Sequence, residues 1–419
     1  MTLAAYWRLL RGNRNLRLLW TAQIVSELGD WFYSVAIFSF LLELTGSARM
    51  VAFAFLMQVL PQCFMAPTAG VINDRISRRR VMIFADWSRA GIVLAMMLVR
   101  TRAMLPLLYL LLLLETVCWA LFEPAQRAVV PNITTGDEIP IANALASATW
   151  SVNFALGAGL GGLVLVTFGR ETVFVVNSLS FVASALLIRA MKFAEPHAEN
   201  LPPLRPRDLI DYSPIAEGWR YVRRDPKLRA TIFVKGGIGL IGANWVILPV
   251  LGERVFRVQV HGLSAAQAGA LGMSTLLGAR GIGAIAGSFL GGTFAGTDIV
   301  RLRWTILAGF AMTGLGYVVL GAAGSLVIAV LTLVVAHAGS SACWTASSTL
   351  LQKQTDDRFR GRVFSAEFAF SMLALGVSSF AAGQAVDRGI SVRTVAVATG
   401  LTMLAPVTAW LMAGRALRD

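Results

Sequence analysis

The sequence predicts an all-α membrane protein with twelve transmembrane helices in two six-helix, pseudo-symmetric bundles. Three observations support this fold class. The 419-residue chain is 56% hydrophobic and only 14% charged, whereas soluble domains carry about 25% charged residues. Its apolar residues recur in blocks of about 20, the length that a helix needs to cross the hydrocarbon core of a bilayer. A single long polar stretch divides these blocks into two sets of six.

The apolar blocks place six helices on each side of that polar stretch. The first six lie near 18–43, 48–72, 81–101, 104–124, 144–168 and 172–190. The second six lie near 229–252, 265–291, 303–322, 325–350, 363–386 and 392–414. The chain is thus expected to comprise an N-terminal bundle at 1–190, a cytoplasmic linker at 191–228 and a C-terminal bundle at 229–419.

The distribution of basic residues predicts the orientation in the membrane. With the N-terminus inside, the inner segments hold about 26 of the 37 Lys and Arg residues and the outer loops about 8. Cytoplasmic loops are enriched in Lys and Arg, so both termini are expected in the cytoplasm. Arginine outnumbers lysine 33 to 4, which favours a bacterial chain and hence the cytoplasmic (inner) membrane.

The linker at 191–228 has two parts of different composition. It begins with prolines at Pro196, Pro202, Pro203 and Pro206, and it ends in a basic segment. In that segment the apolar residues around Trp219 fall on one helical face and the arginines on the others. This pattern predicts an amphipathic helix on the anionic inner leaflet, although a solvated linker helix would have the same sequence.

The composition also excludes several classes of function. The formal charge of +14 is scattered between apolar blocks and not gathered on one soluble face, so we predict no binding of nucleic acid. The three cysteines and three histidines lack metal-ligand spacing, so no metal or cofactor is expected. No catalytic motif and no phosphate-binding Gly-Lys-Ser/Thr loop is present, and the protein is therefore not predicted to be an enzyme or a nucleotide-driven pump.

One short basic loop between the second and third spans carries the most informative pattern. It follows Gly70 and contains one acid, Asp74, together with Arg75, Arg78, Arg79 and Arg80. A carboxylate at this position can cap a helix and pair with arginine. The pattern favours a cytoplasmic latch between two spans.

This loop resembles the signature of the major facilitator superfamily between spans two and three. The chain is also similar to the superfamily's drug and macrolide exporter branch, which includes siderophore and lysophospholipid transporters. The supporting segments are Gly29-Asp30-Trp31-Phe32, Leu44-Thr45-Gly46-Ser47-Ala48, Arg79-Arg80-Val81-Met82-Ile83, Pro124-Ala125-Gln126-Arg127-Ala128, Glu217-Gly218-Trp219-Arg220-Tyr221 and Arg360-Gly361-Arg362. The resemblance implies a monomeric transporter in which two bundles rock around a midplane cavity.

One residue departs from the family pattern. Antiporters of the superfamily often carry Gly-Pro-x-x-Gly-Gly in span five, and this chain has Ala158 in place of the proline. The surrounding glycines still permit close contact between helices. The departure weakens the inference that transport is antiport.

Acidic residues inside the spans are the first candidates for function, because an unpaired charge in a membrane is costly. Glu27 and Asp30 stand at i and i+3 in span one and share a helical face. Two neighbouring acids suit binding and release of protons, although either could instead cap a helix or pair with an arginine. Glu115 in span four is a candidate for a second proton site or for binding a cationic substrate. It could instead pair with a structural arginine. Glu123 at the end of that span is assigned to the cytoplasmic gate.

Basic and histidine residues inside the spans form a second group of candidates. Arg280 lies deep in span eight among small residues, so it could bind an anionic group of the substrate or neutralise a carboxylate such as Glu367. Lys235 lies a few residues into span seven and is expected to extend its amine to the membrane surface. His337 is expected to be a hydrogen-bonded residue of the bundle interior.

Two further features complete the predicted site. Trp31 follows Asp30 and is a candidate for the wall of a hydrophobic substrate pocket. Asp86 and Arg89, at i and i+3 in span three, are expected to pair with each other or with the Gly70 loop.

The favoured hypothesis is a proton antiporter that exports an amphipathic or hydrophobic small molecule, with a role in multidrug efflux and with protons and membrane lipids as its other partners. An alternative in the same class is a lysolipid or siderophore carrier without proton coupling. An alternative in a different class is a receptor or scaffold that transports nothing.

Overall fold

The computed structural model describes residues 3–136, 138–195, 213–296 and 298–416. These residues form an almost entirely α-helical molecule. In chain order the first seven helices are α1 (Leu3–Gly12), α2 (Arg14–Thr45), α3 (Ala48–Arg75), α4 (Arg78–Met96), α5 (Leu105–Ile133), α6 (Ile139–Arg189) and α7 (Ser213–Arg224). The other eight are α8 (Pro226–Gly239), α9 (Asn244–Arg254), α10 (Ala265–Ala295), α11 (Ile299–Ala322), α12 (Leu326–Gln354), α13 (Asp357–Asp387), α14 (Val392–Thr402) and α15 (Leu404–Ala416).

Ten helical segments of the described chain are long and apolar enough to cross a membrane. Besides α6, two of them are broken inside: α8 and α9 are joined by a 3₁₀ turn at Leu240–Ala243, and α14 and α15 are separated at Met403. The sequence predicted an unbroken helix at both places. The helix α4, with 19 residues, is not among the ten because its charged residues lower its hydropathy.

Short polar side chains begin most of these helices. Asn13, Ser47, Ser77 and Asp298 each accept a hydrogen bond from the backbone N–H three residues later. Such caps satisfy amide groups that the first turn leaves without partners. The boundaries between spans are therefore encoded locally.

The helix α6 has 51 residues and reverses direction at Gly169, whose φ of +82° is accessible mainly to glycine. Both of its ends lie beside the start of α2. Trp20 Nε1 donates to Thr149 Oγ1 at 2.7 Å, and the backbone N–H of Lys192 donates to Asn15 Oδ1 at 3.0 Å. The reversal falls at the break that the sequence predicts between 168 and 172.

The observed helices differ from the predicted ones at the end of span three and at the N-terminus. The third span ends at Met96 and not at 101, because the following arginines leave the helix. Arg100 pairs with Glu171, and Arg102 donates to the last carbonyls of α2. The helix α1 was not predicted, since its ten residues are too short to span a membrane.

The segment predicted to hold an amphipathic helix contains α7, while the proline-rich part at 196–212 lies outside the described residues. In α7 the side chain of Val222 is fully buried, and Glu217 pairs with Arg362 of α13 at 2.8 Å. Tyr221 stacks on Phe359 with 4.3 Å between ring centroids. This helix thus packs against α13, which neither of the two sequence interpretations anticipated.

The two halves of the chain meet along two helix pairs. The helix α3 runs antiparallel to α13, with Ala52 beside Gly383 and Leu56 beside Gly376. The first part of α6 packs on α10, where Gly159 and Gly278 approach so closely that a Cβ on Gly278 would lie 2.9 Å from the Gly159 Cα. The glycines around Ala158 do permit the close helix contact that the sequence predicted.

Candidate functional site

A buried arginine gathers acids from three helices in the N-terminal half. Arg89 of α4 donates from Nη2 to Asp30 Oδ2 of α2 at 2.7 Å and from Nε to Glu115 Oε1 of α5 at 2.8 Å. Its Nη1 lies 3.7 Å from Asp86 Oδ1, one turn earlier in α4. The guanidinium also lies over the ring of Phe181, 3.9 Å from the centroid. We call Asp30, Asp86, Arg89 and Glu115 the Arg89 cluster.

The charges of the Arg89 cluster do not balance. One guanidinium faces three carboxyl groups, so two negative charges remain uncompensated unless protons bind. Asp86 is fully buried, and neither of its carboxyl oxygens has a hydrogen-bond partner within the described part of the chain. Since buried charges without hydrogen bonds are costly, the cluster is short of positive charge in this conformation.

Asp30 is the most exposed member of the cluster. Its side chain is 27% exposed, whereas that of Glu115 is 10% exposed, that of Arg89 is 2% exposed and that of Asp86 is fully buried. Asn177, in the second part of α6, lies 3.5 Å from Asp30 Oδ1. The chemistry available at this position is the uptake and release of a proton.

Glu27 lies one turn before Asp30 but belongs to a different set of contacts. Its Oε1 accepts from Gln23 Nε2 at 2.9 Å, and its Oε2 accepts from Asn153 Nδ2 at 3.0 Å. These amides carry no charge. The two acids that the sequence placed on one helical face therefore have separate environments.

Aromatic side chains from both halves form a second cluster beside Asp30. Trp31 lies 4.3 Å from Phe154, 6.0 Å from Trp150 and 6.2 Å from Trp245, measured between ring centroids. Phe55 stacks on the other side of Trp245 at 4.9 Å. We call these five residues the aromatic cluster.

Arg280 of α10 lies against the aromatic cluster. The carbon of its guanidinium is 4.2 Å from the Trp245 centroid and 4.5 Å from the Phe154 centroid. Its Nε and Nη1 atoms are buried and have no hydrogen-bond acceptor among the residues that the structure describes. The structure contradicts the predicted pairing of Arg280 with Glu367.

Glu367 instead binds Lys235, whose predicted extension to the membrane surface is also wrong. Lys235 Nζ lies 3.0 Å from Glu367 Oε1, and both side chains are at most 4% exposed. The amine also lies 4.2 Å from the Trp344 centroid. His337 is buried and its Nε2 lies 2.9 Å from the Tyr317 hydroxyl, as expected for a hydrogen-bonded interior residue.

Asp74 in the loop after Gly70 lies beside an arginine of the same loop, as predicted, but a different acid accepts hydrogen bonds from the start of α4. Asp74 is 75% exposed and lies 3.9 Å from Arg78 Nη2. Arg78 donates to the Ala128 carbonyl at 2.9 Å, and Glu195 accepts from Ser77 Oγ and from the backbone N–H of Arg79. Glu195 lies more than 100 residues away, at the start of the polar stretch, so the local sequence pattern around Gly70 does not reveal it.

The remaining predicted gate residues lie near this loop. Gly70 is inside α3, with open space where a Cβ would stand, and Arg75 is the last residue of that helix. Glu123 pairs with Arg127 at 2.7 Å within α5. The side chain of Arg79 donates to the carbonyls of Ile188 and Arg189 at the end of α6.

The halves are held together at the opposite end of the bundle. Asp387, the last residue of α13, accepts from the first turn of α3. Arg254 of α9 donates from Nη2 to the Gly46 carbonyl at 2.6 Å. A shallow surface cleft of about 630 Å³ lies beside these groups. We call this region the Asp387 end and the region around the Gly70 loop the Asp74 end.

Comparison with known proteins places the chain among membrane transporters. The sequence profile of a family described as "Transmembrane secretion effector" matches residues 6–416. An uncharacterized MFS-type transporter of Bacillus subtilis, YkuC, is 27% identical over 244 residues, covering 57% of this chain and 56% of that protein. Macrolide efflux protein A of Streptococcus pyogenes is 24% identical over 221 residues, covering 52% and 53%. These matches span about half the length of the relatives.

A solved structure extends the likeness to the whole fold. The inward-facing, unoccupied form of a bacterial homolog of the human lysosomal transporter Spinster aligns with a TM-score of 0.71. The alignment covers 99% of this chain and 98% of that one at 15% sequence identity. At this identity the similarity concerns the fold alone.

Proposed function

The chain belongs to the transmembrane secretion effector family of major facilitator transporters, and from that premise we propose that it exports an amphipathic or hydrophobic small molecule by alternating access, in exchange for protons. Because the family and its relatives are transporters, the protein is a multi-pass membrane transporter and not an enzyme. The Arg89 cluster is the observation that carries the proposal of proton exchange.

The proposed proton site is Asp30. Its carboxylate bonds to Arg89, which also holds Glu115 and lies near Asp86. When Asp30 binds a proton, its attraction to Arg89 weakens and the negative charge of the cluster falls. A proton can change the balance between two conformations only if it binds them with different affinity. The partial exposure of Asp30 supports access of protons to its carboxyl group in this conformation. Glu27 is a proposed second acid beside this site.

Alternating access is supported by the uneven contacts between the halves. Ion pairs and hydrogen bonds join α3 to α13 at the Asp387 end. At the Asp74 end, Arg78 and Arg79 donate within the N-terminal half, while Arg362 pairs with Glu217 within the C-terminal half. We therefore propose that this conformation is closed at the Asp387 end and that Asp74 forms its latch with α13 in the opposite state.

The proposed topology has twelve spans in two bundles of six. Counting α4 and both parts of α6 brings the ten candidate segments to twelve. The excess of arginine in the loops at the Asp74 end supports a cytoplasmic position for that end and for both termini. We propose the bacterial inner membrane as the location and a monomer as the working unit.

The aromatic cluster supports an amphipathic or hydrophobic substrate. Its rings come from both halves, and one of them belongs to Trp31, which follows Asp30 in α2. A substrate bound there would contact both bundles and the residue next to the proton site. The similarity to macrolide efflux protein A supports efflux as the direction of transport.

A carrier of lysolipids or siderophores without proton coupling is the second candidate. The observation that favours it is Ala158, which replaces a proline common in antiporters of the superfamily. Coupling to protons is what separates the two candidates.

The test is transport in proteoliposomes with an imposed pH gradient, with a panel of amphipathic dyes and drugs as substrates. Asp30→Asn should abolish gradient-driven transport while the protein still elutes as a folded monomer. Glu171→Gln, which changes an exposed acid that pairs with Arg100, is the matched control and should transport normally. Full gradient-driven transport by Asp30→Asn would refute the proton site. Wild-type transport that an uncoupler does not affect would favour the second candidate.

A further inference from the structure

Arg280 differs from the other arginine and lysine residues buried inside the helices. Arg89 bonds to carboxylates at 2.7 and 2.8 Å, and Lys235 bonds to one at 3.0 Å. By contrast, Nε and Nη1 of Arg280 are buried, and no acceptor lies within hydrogen-bond distance in the described ranges. Arg280 is only partly buried as a whole, but two of its nitrogens are shielded from water without an acceptor, which is costly for a cation, so an anion at this position would be stabilising.

The aromatic rings beside Arg280 compensate only part of this charge. The guanidinium lies over Trp245 of the C-terminal half and over Phe154 of the N-terminal half. Contacts with ring faces stabilise a cation less than a charge-assisted pair of hydrogen bonds does. They form no hydrogen bonds with the N–H groups at the edge of the guanidinium, so these groups keep their capacity to donate to an anion.

Four acids inside the helices already have other partners. Glu367 pairs with Lys235, Asp30 and Glu115 pair with Arg89, and Glu27 bonds to Gln23 and Asn153. A rearrangement that supplied one of them to Arg280 would leave another cation or amide without its partner. An anion from outside the chain satisfies Arg280 without that loss.

Arg280 also lies at the junction of the two halves. Its neighbours Gly278 and Gly281 pack against Gly159 and Ala155 of α6. Trp31 stacks parallel to Trp245 at 6.2 Å and adjoins Asp30 in the sequence. An anion at Arg280 would thus lie in contact with both bundles and on the same aromatic cluster as the proposed proton site.

We propose that Arg280 binds an anionic group of the transported amphiphile, a carboxylate or a phosphate, while the aromatic cluster holds its apolar part. The inference rests on the proposed function and names the charge class of its substrate. Arginine suits both anions because its planar guanidinium can donate two parallel hydrogen bonds.

The test measures binding, so that it does not depend on proton coupling. The full-length protein in detergent is titrated with four naphthalene probes that carry a carboxylate, a phosphate, a hydroxyl or an ammonium group. Binding is followed by quenching of tryptophan fluorescence. We expect the carboxylate or the phosphate probe to bind about tenfold more tightly than the hydroxyl probe, as a charge-assisted hydrogen-bonded pair predicts. The ratio between the two anionic probes identifies which anion is preferred.

Variants of Arg280 distinguish a role in recognising the charge of the probe from a role in supporting the structure. Arg280→Gln should lower the affinity for the preferred anion to that of the hydroxyl probe and leave the hydroxyl affinity unchanged. Arg280→Lys keeps the charge without the planar pair of donors and should lie between wild type and Arg280→Gln. Arg100→Gln, which removes a 71% exposed arginine, should bind all four probes as wild type does.

Two outcomes would overturn the proposal. One is equal wild-type affinity for the anionic and hydroxyl probes. The other is an Arg280→Gln protein that elutes as wild type does but loses all four probes equally, which would indicate a structural role. A preference for anions together with normal transport by Asp30→Asn would leave this inference intact while refuting the proposed proton site.

Discussion

Asp387 accepts a hydrogen bond from the backbone N–H of Ala48 at 2.8 Å, so the last residue of α13 caps the first turn of α3. The same carboxylate accepts from the Ser47 hydroxyl and lies 3.9 Å from Nε of Arg49. A negative charge at the start of a helix is stabilising because the first N–H groups point toward it. Asp74 stands in the last turn of α3, at the other end of the same antiparallel pair. Each helix thus has an acid in its last turn, and Asp387 caps the start of the other helix in this conformation, which fits two latches that close in turn.

Removing the first latch should open the Asp387 end. Asp387→Ala deletes the cap and the pair with Arg49, a loss of about 1 kcal/mol, which corresponds to about a fivefold shift in the equilibrium between states. The measurement is the distance between spin labels at Glu171 and Gln259, in a background without native cysteines. We expect a larger population of long distances.

The matched control for that variant is Asp225→Ala. Asp225 caps α8 inside one half of the chain, so its loss should leave the distance distribution unchanged. An Asp387→Ala protein with the wild-type distribution would show that this cap does not hold the halves together.

Removing the arginine of the Arg89 cluster should destabilise the fold. Arg89→Gln leaves three carboxyl groups without a cation, and removal of one partner from a buried pair costs about 3–5 kcal/mol. The double variant Arg89→Gln/Glu115→Gln removes one of those acids and should recover part of the loss. Thermal unfolding in detergent, followed by tryptophan fluorescence, measures both.

Arg100→Gln is the control for this series, because its pair with Glu171 is exposed and such pairs contribute at most about 1 kcal/mol. If Arg89→Gln melts at the temperature of this control, the cluster does not stabilise the fold.

The contact between α6 and α10 should tolerate one glycine substitution and not another. A Cβ on Gly281 would lie 2.5 Å from the Cα of Ala155, whereas a Cβ on Gly159 would lie 3.5 Å from the Cα of Gly278. Gly281→Ala should therefore separate the helices at a cost of about 1–3 kcal/mol and impair transport, while Gly159→Ala should leave it nearly normal. Transport and melting temperature are measured for both variants.

Gly292→Ala serves as the reference, since a Cβ there meets open space. Equal behaviour of Gly281→Ala and Gly292→Ala would mean that the helices do not need this close approach.

The sequence predicted most helices because the signals for a membrane span are local. Hydropathy marks each span, and polar residues such as Ser47 and Asp298 mark where helices begin. It did not predict the breaks at Leu240–Ala243 and Met403. These breaks fall inside apolar runs, where hydropathy does not change and packing against neighbouring helices determines the local conformation.

The candidate residues were found, but several of their partners were not. An acid or a base inside a span is conspicuous because it is rare in a membrane, and this criterion selected Asp30, Glu115 and Arg280. The same criterion does not show which acid forms an ion pair with which base when the two lie on different helices. Glu367 was matched to Arg280, whereas in the structure it binds Lys235.

The amino-acid sequence alone therefore determined which segments enter the membrane and which polar residues enter with them, since both depend on transfer of single segments out of water. Only the tertiary structure decided that Arg89 holds two acids at hydrogen-bonding distance and that Arg280 is left without an acceptor among the residues described. Those outcomes depend on distances of a few ångströms between helices far apart in the chain, which are set by the packing of small residues such as Gly159 and Gly278.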